Sequence, residues 1–324
     1  MLRAGDLVQV RGEEEILNSL GGTGRLEDLP FMPEMLRHCG ETLRVFKRAD
    51  KTCVPLWFQG LRRMEHAVFL QGSRCDGSAH GNCQAGCLFF WKEEWLRPVT
   101  RGDEPETRAI WRAPDNAGPI TPRCTPEDLT RATRVASGSG VEVFSCQATE
   151  LHTATTLIPA WDVGQYVRDV RSGNVGISHA APVLVRGFAR KVFRRRRFAK
   201  THSPVAGRQA PLVQGRGAVA LASALNLQPG DRVQVRSRRD IEATLDSKGR
   251  NRGLMFRPEM LLYCGSEFRI LKRVERMISE RTGQMMNLRD CIVLDGINCD
   301  GDFHRFCPRS VHLYWREAWL RKLD

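Results

Sequence analysis

The sequence predicts an α+β, mostly β fold in which two duplicated small-barrel modules flank a mixed central region. The prediction is based on an internal repeat of about 95 residues, on short alternating segments typical of strands, and on Cys and His residues that recur in both copies. We expect the first module at 1–98 and its duplicate at 229–324. A linker and helical central region at 99–182, then a basic segment and flexible connector at 183–228, lie between them.

The repeat extends over nearly the whole of each module. Residues 5–48 match residues 230–273 at 21 of 44 positions under a constant shift of 225. After one deleted residue the shift becomes 224, and Trp91–Arg97 then aligns with Trp315–Arg321. Two copies are too few for a solenoid, so each module is expected to fold as a domain of its own.

Each module begins with short strands and short helices. Alternating apolar and polar residues predict strands at Leu7–Arg11, Leu43–Lys47 and Ala67–Gln71, and in the second copy at Arg232–Arg236, Glu267–Leu271 and Cys291–Asp295. Helices are predicted at Glu13–Leu20, Pro33–His38, Arg239–Leu245 and Pro258–Tyr263. The opening Gly-Asp-x-Val-x-Val, followed by these strands, resembles the entry of an SH3-like barrel.

Tryptophans mark the end of each module. Trp91 and Trp95 are four residues apart, as are Trp315 and Trp319. Large aromatic side chains that recur in both copies are more often anchors of a core than walls of a ligand cage. We therefore interpret all four as core residues.

The central region contains two predicted helices and two cysteines. Thr125 is an N-cap candidate followed by a proline and two acids, which predicts a helix start there. Asp162–Arg171 is predicted as a second helix, capped by Asp162. Cys124 and Cys146 have no partners at metal-ligand spacing and are expected to be buried thiols, and a nucleophilic Cys146 would need His152 as its activating base.

Four aligned positions hold a Cys or a His in both copies. They are Cys39, Cys75, His80 and Cys83 in the first module and Cys264, Cys299, His304 and Cys307 in the second. Three thiolates and one imidazole are the donors of a tetrahedral zinc site, so the sequence predicts two zinc ions per chain. Cys87 occurs in the first copy alone and is a further ligand candidate, in place of Cys39 or His80. Burial as small apolar residues is the alternative for these cysteines.

Two resemblances bear on this site. Cys75-Asp76-Gly77-Ser78-Ala79-His80 is similar to the CDGSH iron–sulfur family, which implies a [2Fe–2S] cluster as the alternative to zinc. The chain departs from that family because Ala79 precedes the histidine and no Cys-x-Cys stands upstream. The whole chain also resembles a bacterial family of paired modules built on Pro-Glu-Met-Leu-x-x-Cys-Gly and Cys-x-Gly-x-x-His-x-x-Cys. That second resemblance implies the paired architecture and no particular reaction.

The positive charge of the chain is concentrated in one stretch. The net charge is +13, yet residues 1–100 are balanced, and eight Lys/Arg lie between Arg186 and Lys200. The candidate polyanion-binding residues are Arg190, Lys191, Arg194, Arg195, Arg196, Arg197 and Lys200. Phe188, Val192 and Phe193 fall at helical spacing beside them. This segment, 183–200, is interpreted as a solvated linker, a nucleic-acid contact or an amphipathic helix on an anionic membrane.

The sequence favours a binding protein over a recognisable enzyme. It contains no apolar run of membrane-spanning length and no signal-peptide core, which predicts a cytoplasmic protein without a transmembrane segment. The first hypothesis is a zinc-binding scaffold whose two modules hold a protein partner. The alternatives are a metalloenzyme or iron–sulfur redox protein that uses the first site, with Cys87 or Cys53 reactive, and a nucleic-acid-binding protein that uses the basic segment.

Overall fold

The computed structural model describes residues 1–53, 61–99, 124–135, 140–159, 162–181 and 225–323. Contacts divide the chain into two compact units. The first unit comprises residues 1–81, 88–175 and 279–284, and the second comprises residues 82–87, 176–278 and 285–324. Among the described residues, the helices are too short and too polar to cross a bilayer.

The first unit contains a curled five-stranded antiparallel sheet with the strand order β8-β7-β4-β1-β9. Its strands are β1 (Leu7–Val10), β4 (Thr42–Arg48), β7 (Ala67–Arg74), β8 (Leu88–Lys92) and β9 (Leu96–Pro98). The first strand pairs with Thr42–Arg44 on one side and with Leu96–Pro98 on the other. The chain thus closes the module by returning its last strand to its first.

Short elements connect these strands. They are helix α1 (Glu13–Ser19), hairpin strands β2 (Arg25–Leu26) and β3 (Leu29–Pro30), a 3-10 helix at Pro33–His38, strands β5 (Thr52–Cys53) and β6 (Leu61–Arg63), and a 3-10 helix at Glu93–Trp95. The proline at the start of Pro33–His38 suits a first turn, because its missing N–H would have no partner there. Cys39 ends this 3-10 helix, and Gly40 follows at φ +81°.

Tryptophan forms the centre of the first core, as predicted. Trp91 and Trp95 are fully buried, and Phe31 packs edge-on against Trp95 with ring centroids 5.0 Å apart. The Trp91 indole N–H donates a hydrogen bond to the Ser73 hydroxyl at 3.0 Å. Burial of such large apolar surfaces stabilises this module, and the indole N–H of Trp91 is hydrogen-bonded as well.

The described part of the central region belongs to the first unit. It contains helices α2 (Pro126–Ala132) and α3 (Gly164–Arg171), short strands β10 (Arg134–Val135), β11 (Val143–Phe144) and β12 (Thr156–Ile158), and a 3-10 helix at Glu150–His152. The Thr125 hydroxyl accepts the Asp128 N–H, the predicted N-cap interaction. Strand β12 pairs with β6, which adds the central region to the three-stranded sheet β12-β6-β5.

The second unit repeats the sheet of the first. Its five-stranded sheet has the order β20-β19-β16-β13-β21, with Trp315 and Trp319 fully buried beneath it. Its elements are α4 (177–181), β13 (Arg232–Val235), α5 (Arg238–Glu242), β14 (Arg250–Asn251), β15 (Leu254–Met255), a 3-10 helix at Pro258–Tyr263, β16 (Glu267–Arg273), β17 (Arg276–Ile278), β18 (Met285–Asn287), β19 (Cys291–Asn298), 3-10 helices at Asp302–His304 and Glu317–Trp319, β20 (His312–Arg316) and β21 (Leu320–Lys322).

The mostly β class and the two similar modules are therefore confirmed, in the form of two curled half-barrel sheets. The predicted short helices Pro33–His38 and Pro258–Tyr263 have the predicted bounds and are 3-10 helices, whereas the long strands extend beyond the predicted alternation. An SH3-like identity stays a prediction. The basic segment 183–200 and all seven of its candidate polyanion-binding residues lie outside the described residues.

Candidate metal centres

Each module brings one glutamate, one cysteine and one histidine together. The groups are Glu34, Cys75 and His80 in the first module and Glu259, Cys299 and His304 in the second. Within each group the donor atoms lie within 4.8 Å of one another. Because the two groups occupy aligned positions, the duplication has preserved a site and not only a fold.

Two elements supply the donors of the first site. Glu34 is the second residue of the 3-10 helix Pro33–His38, and Cys75 directly follows strand β7. After Cys75 the Asp76 carboxylate accepts hydrogen bonds from the Ser78 N–H at 3.0 Å and from its hydroxyl at 2.7 Å. This Asx-type turn reverses the chain, which returns His80 towards Cys75.

The three side chains of the first site form a continuous contact. The Cys75 Sγ lies 3.5 Å from His80 Nε2, and Glu34 Oε1 lies 3.1 Å from His80 Nδ1. The Ala79 N–H also donates to Glu34 Oε1, at 3.0 Å. The side chains of Glu34 and His80 are each only 2% exposed, whereas Cys75 is partly exposed.

The environment keeps the Glu34 carboxyl ionised. Burial by itself would raise its pKa, but the interaction with His80 and the backbone N–H groups hold the pKa below the ordinary value. Burial raises the pKa of the Cys75 thiol, and His80 opposes that rise. A buried carboxylate beside an imidazole and a thiol is an arrangement that a bound cation would stabilise further.

The second site has the same turn, and its histidine is more exposed to solvent. The Asp300 carboxylate accepts the Asp302 N–H at 2.9 Å, and Glu259 Oε1 lies 3.4 Å from His304 Nε2. Gly301 in this turn has φ +88°, and an added Cβ would meet the Cys307 carbonyl oxygen at 2.3 Å, so the turn requires glycine. Burial by itself would raise the Glu259 pKa, but His304, the Glu259 backbone N–H and Arg257 together hold it below its ordinary value.

The remaining predicted ligands of the first module lie outside its Glu/Cys/His group. Cys39 packs against the core, and burial together with Glu13 and Glu41 raises its pKa to about 12. Cys83 and Cys87 belong to the second unit, where the Cys83 Sγ accepts the Ile278 N–H at 3.3 Å. Their role as ligands stays a prediction.

In the second module Cys264 and Cys307 also lie outside the group. Cys264 packs against the core, and burial raises its pKa. Cys307 is buried, and its N–H donates to the His304 carbonyl at 3.2 Å. Cys307 therefore supports the loop that carries His304, while its place in the donor set stays a prediction.

Sequence reasoning missed the two glutamates. Glu34 and Glu259 stand in the Pro-Glu-Met-Leu segment that both copies share, but only cysteines and histidines were compared as ligand types. An acid after a proline suits the first turn of a helix, which offered an ordinary explanation for it. The sequence does carry one signal for them, since the same glutamate stands within an apolar segment in both copies.

Comparison with protein-family models, with curated proteins and with solved structures found no match to this chain. The resemblances to CDGSH proteins and to the paired bacterial modules therefore remain predictions.

Proposed function

We propose that this protein binds two zinc ions, one in each module, and acts as a zinc-stabilised binding or scaffold protein. The observation that carries the proposal is the recurrence of a buried Glu/Cys/His group at aligned positions of two modules. A buried ionised carboxylate is costly to maintain unless hydrogen bonds or a cation compensate for its charge. A duplicated site of this kind is difficult to explain by packing alone.

The spacing of two donors supports a shared ion. Tetrahedral zinc, with bonds of about 2.3 Å to sulfur and about 2.0 Å to nitrogen, holds the two ligand atoms roughly 3.5 Å apart. The distance between Cys75 Sγ and His80 Nε2 is 3.5 Å. On the other side of the ring, Glu34 faces Nδ1 at 3.1 Å, which is the position of a carboxylate that orients a metal-bound histidine.

The donor types favour zinc over an iron–sulfur cluster. Cysteine, histidine and glutamate are all zinc ligands, and a [2Fe–2S] cluster needs four Cys or His ligands. Each group provides one Cys and one His. A cluster would require further Cys or His ligands beside Cys75 and His80, whereas a zinc ion also accepts a carboxylate or a water molecule as a ligand.

Metal analysis of the full-length protein tests the proposal. Protein purified without added metal or chelator should contain two equivalents of zinc per chain and lack the visible absorption of an iron–sulfur cluster. Cys75→Ser and Cys299→Ser should each lose one equivalent, and Cys53→Ser, outside both groups, is the matched control. Metal-free wild-type protein, or loss of both equivalents in Cys75→Ser, would contradict two independent sites.

A second measurement separates a structural ion from an adventitious one. Structural zinc in small modules contributes on the order of 10 kcal/mol to folding. Removal of the metal by a chelator should therefore reduce the far-UV circular dichroism of the protein, and added zinc should restore it. An unchanged spectrum after verified metal removal would exclude the structural role.

A further inference from the structure

Cys146 is a buried thiol of the central region, and the spacing of the sequence assigned it no metal-binding partner. It is 8% exposed and packs in the core of the first unit, shortly before the 3-10 helix Glu150–His152. It stands outside the repeat, so comparison of the two copies could not select it as a ligand. In the fold, its two neighbours in sequence determine where it lies relative to the Glu34/Cys75/His80 group.

Ser145, the residue before Cys146, is connected to the loop that carries His80. The Ser145 N–H donates a hydrogen bond to the Thr133 carbonyl at 2.8 Å, and the Thr133 hydroxyl donates to the Ala79 carbonyl at 2.9 Å. Ala79 directly precedes His80. Because Thr133 is buried, water competes little with these hydrogen bonds. The chain before Cys146 is therefore held against the part of the site that supplies the histidine.

Gln147, the residue after Cys146, is connected to the helix that carries Glu34. The Gln147 Nε2 lies 3.5 Å from Met35 Sδ, and both side chains are buried. Met35 follows Glu34 in the 3-10 helix Pro33–His38. Cys146 is thus fixed between two connections, one to each of two elements that supply the donors.

The Cys146 thiol also interacts with two members of the group. Burial raises the pKa of this thiol to about 11, while His80 opposes the rise and Cys75 adds to it. Interactions of this kind act mainly between close neighbours. The backbone N–H groups of Thr149 and Ala148 hydrogen-bond to the thiol and lower its pKa as well. Such hydrogen bonds favour the thiolate, which is the form of cysteine that binds a metal.

The backbone supports Cys75 and Cys146 in the same way. Burial raises the pKa of Cys75, and the N–H of Gly77, two residues later, lowers it, as the N–H of Ala148 does for Cys146. Cys146 lies outside the set of donor atoms that are within 4.8 Å of one another. Rotation about one side-chain bond moves a cysteine sulfur, so a bound ion would draw this thiol into the group without a change in the backbone.

We propose that Cys146 is a thiolate ligand of the metal in the first module, beside Cys75 and His80. This inference rests on the proposed metal binding, and it adds a ligand from outside the repeat. When the ion binds, the thiol proton leaves to solvent and a metal–sulfur bond forms, without any change in oxidation state. The ion then joins the central region to the first module.

NMR of the full-length protein loaded with the spin-active isotope of cadmium tests this inference, because the β-protons of a bound cysteine couple to the metal. In wild-type protein the β-protons of Cys146 should couple to the same cadmium resonance as those of Cys75. Coupling to Cys75 without coupling to Cys146 would overturn the inference and leave metal binding intact. Protein that binds no cadmium, or binds it without Cys75, would instead overturn the proposed function.

Cys146→Ser measures the contribution of this ligand in a competition titration with a chelator. It should weaken cadmium binding at one of the two sites by about a hundredfold, since loss of even a residue behind a metal ligand costs about 10–100-fold. Cys124→Ser is the matched control and should bind as wild type does, because Cys124 is also buried and its charged neighbour is Asp128. Wild-type affinity in Cys146→Ser would show that Cys146 is not a ligand. If this variant fails to fold, the coupling in wild-type protein decides.

Discussion

A lysine is buried in the first unit, outside the Glu34/Cys75/His80 group. Lys51 and Asp169 are both almost fully buried and form an ion pair between the end of β4 and helix α3. The ammonium group also lies 4.9 Å from the centre of the Tyr166 ring. Burial raises the pKa of Asp169 to about 6, and Lys51 opposes that rise. The pair is thus held together against a substantial desolvation cost.

Removal of one charge of the pair should therefore destabilise the protein more than removal of both charges. Asp169→Asn leaves a buried ammonium group without its carboxylate, which should lower the free energy of unfolding by about 3–5 kcal/mol. The double variant Lys51→Met/Asp169→Asn should lose clearly less stability than the sum of the losses in Lys51→Met and in Asp169→Asn. Urea unfolding of the four proteins measures this coupling. Additive losses would show that the two charges do not interact.

Single residues also show the limit of prediction from this sequence. Cys75, His80, Cys299 and His304 were predicted as ligands because the alignment of the copies retained their types, and the structure brings them together in two groups. Their third partner, Glu34 or Glu259, was not predicted because its burial is set by tertiary packing. A glutamate in sequence is expected at the surface, and only the fold shows that this one is enclosed.

At the scale of elements, the edge strand β8 is completed by a side chain of the central region. The Gln147 Oε1 accepts the Phe90 N–H at 2.8 Å, and its Nε2 donates to the carbonyls of Phe90 and Pro30 at 3.0 Å each. The amide thus makes the hydrogen bonds that a neighbouring strand would make. It joins the central region to β8 and to the hairpin strand β3.

Gln147→Met tests this connection, because it keeps the length of the side chain and removes the amide. Three buried backbone groups would lose their partner, and at about 1 kcal/mol each the unfolding free energy should fall by about 3 kcal/mol. Gln9→Met is the matched control, since the Gln9 amide makes one long bond, at 3.4 Å, to the Gly40 carbonyl at the surface. Equal losses in the two variants would show that Gln147 has no special role in holding the central region.

A second connection between these elements depends on pH. Arg25 of β2 pairs with Glu150 at 2.9 Å, and the Ser145 hydroxyl donates to the same carboxylate at 2.9 Å. Burial alone would raise the Glu150 pKa, but Arg25 and Ser145 hold it below the ordinary value. A carboxyl whose pKa is lowered on folding stabilises the protein above its unfolded-state pKa, and this stabilisation is lost as the pH falls.

Glu150→Gln should accordingly destabilise the first unit at pH 7, by about 2 kcal/mol, and much less at pH 3. Thermal unfolding of wild type and variant across this range measures the difference. Glu142→Gln is the control, because Glu142 and Arg134 are both exposed and 3.8 Å apart, a pair that contributes little. A loss that is constant from pH 7 to pH 3 would show that the charge of Glu150 does not stabilise the fold.

The bounds of an element are predicted well where local residues determine them, and less well where tertiary packing determines them. Proline and capping residues in the sequence predict the start of Pro33–His38 and of α2, and the structure has both. Strand β7 was predicted to end at Gln71 because its alternation stops there, yet it continues to Arg74. Its first four residues are all buried, and its pairing with β8 shifts register after Phe69. A strand that bends around a core in this way lacks the regular alternation of apolar and polar residues from which strands are predicted.

At the scale of the whole molecule, the two modules share a similar sheet but differ in the neighbouring segments of the chain. The described part of the central region belongs to the first unit, and the net charge is unevenly spread along the sequence. Residues 1–100 have no net charge, and the excess is largest between 101 and 228. A polyanion would therefore be attracted to the stretch between the modules more than to the first module itself.

The basic segment gives the last prediction. Replacement of Arg194, Arg195, Arg196 and Arg197 by Gln should abolish binding to heparin, because half of the eight positive charges between Arg186 and Lys200 are lost. The matched control replaces four exposed arginines elsewhere, Arg131, Arg134, Arg238 and Arg252, and has the same net charge.

Binding to duplex DNA that falls steeply with salt, and is unaffected by Phe188→Ser and Phe193→Ser, would identify nucleic acid as the partner. Binding to anionic vesicles that those two substitutions remove would identify a membrane surface. If both four-Gln proteins bind heparin equally well, the segment is a solvated linker.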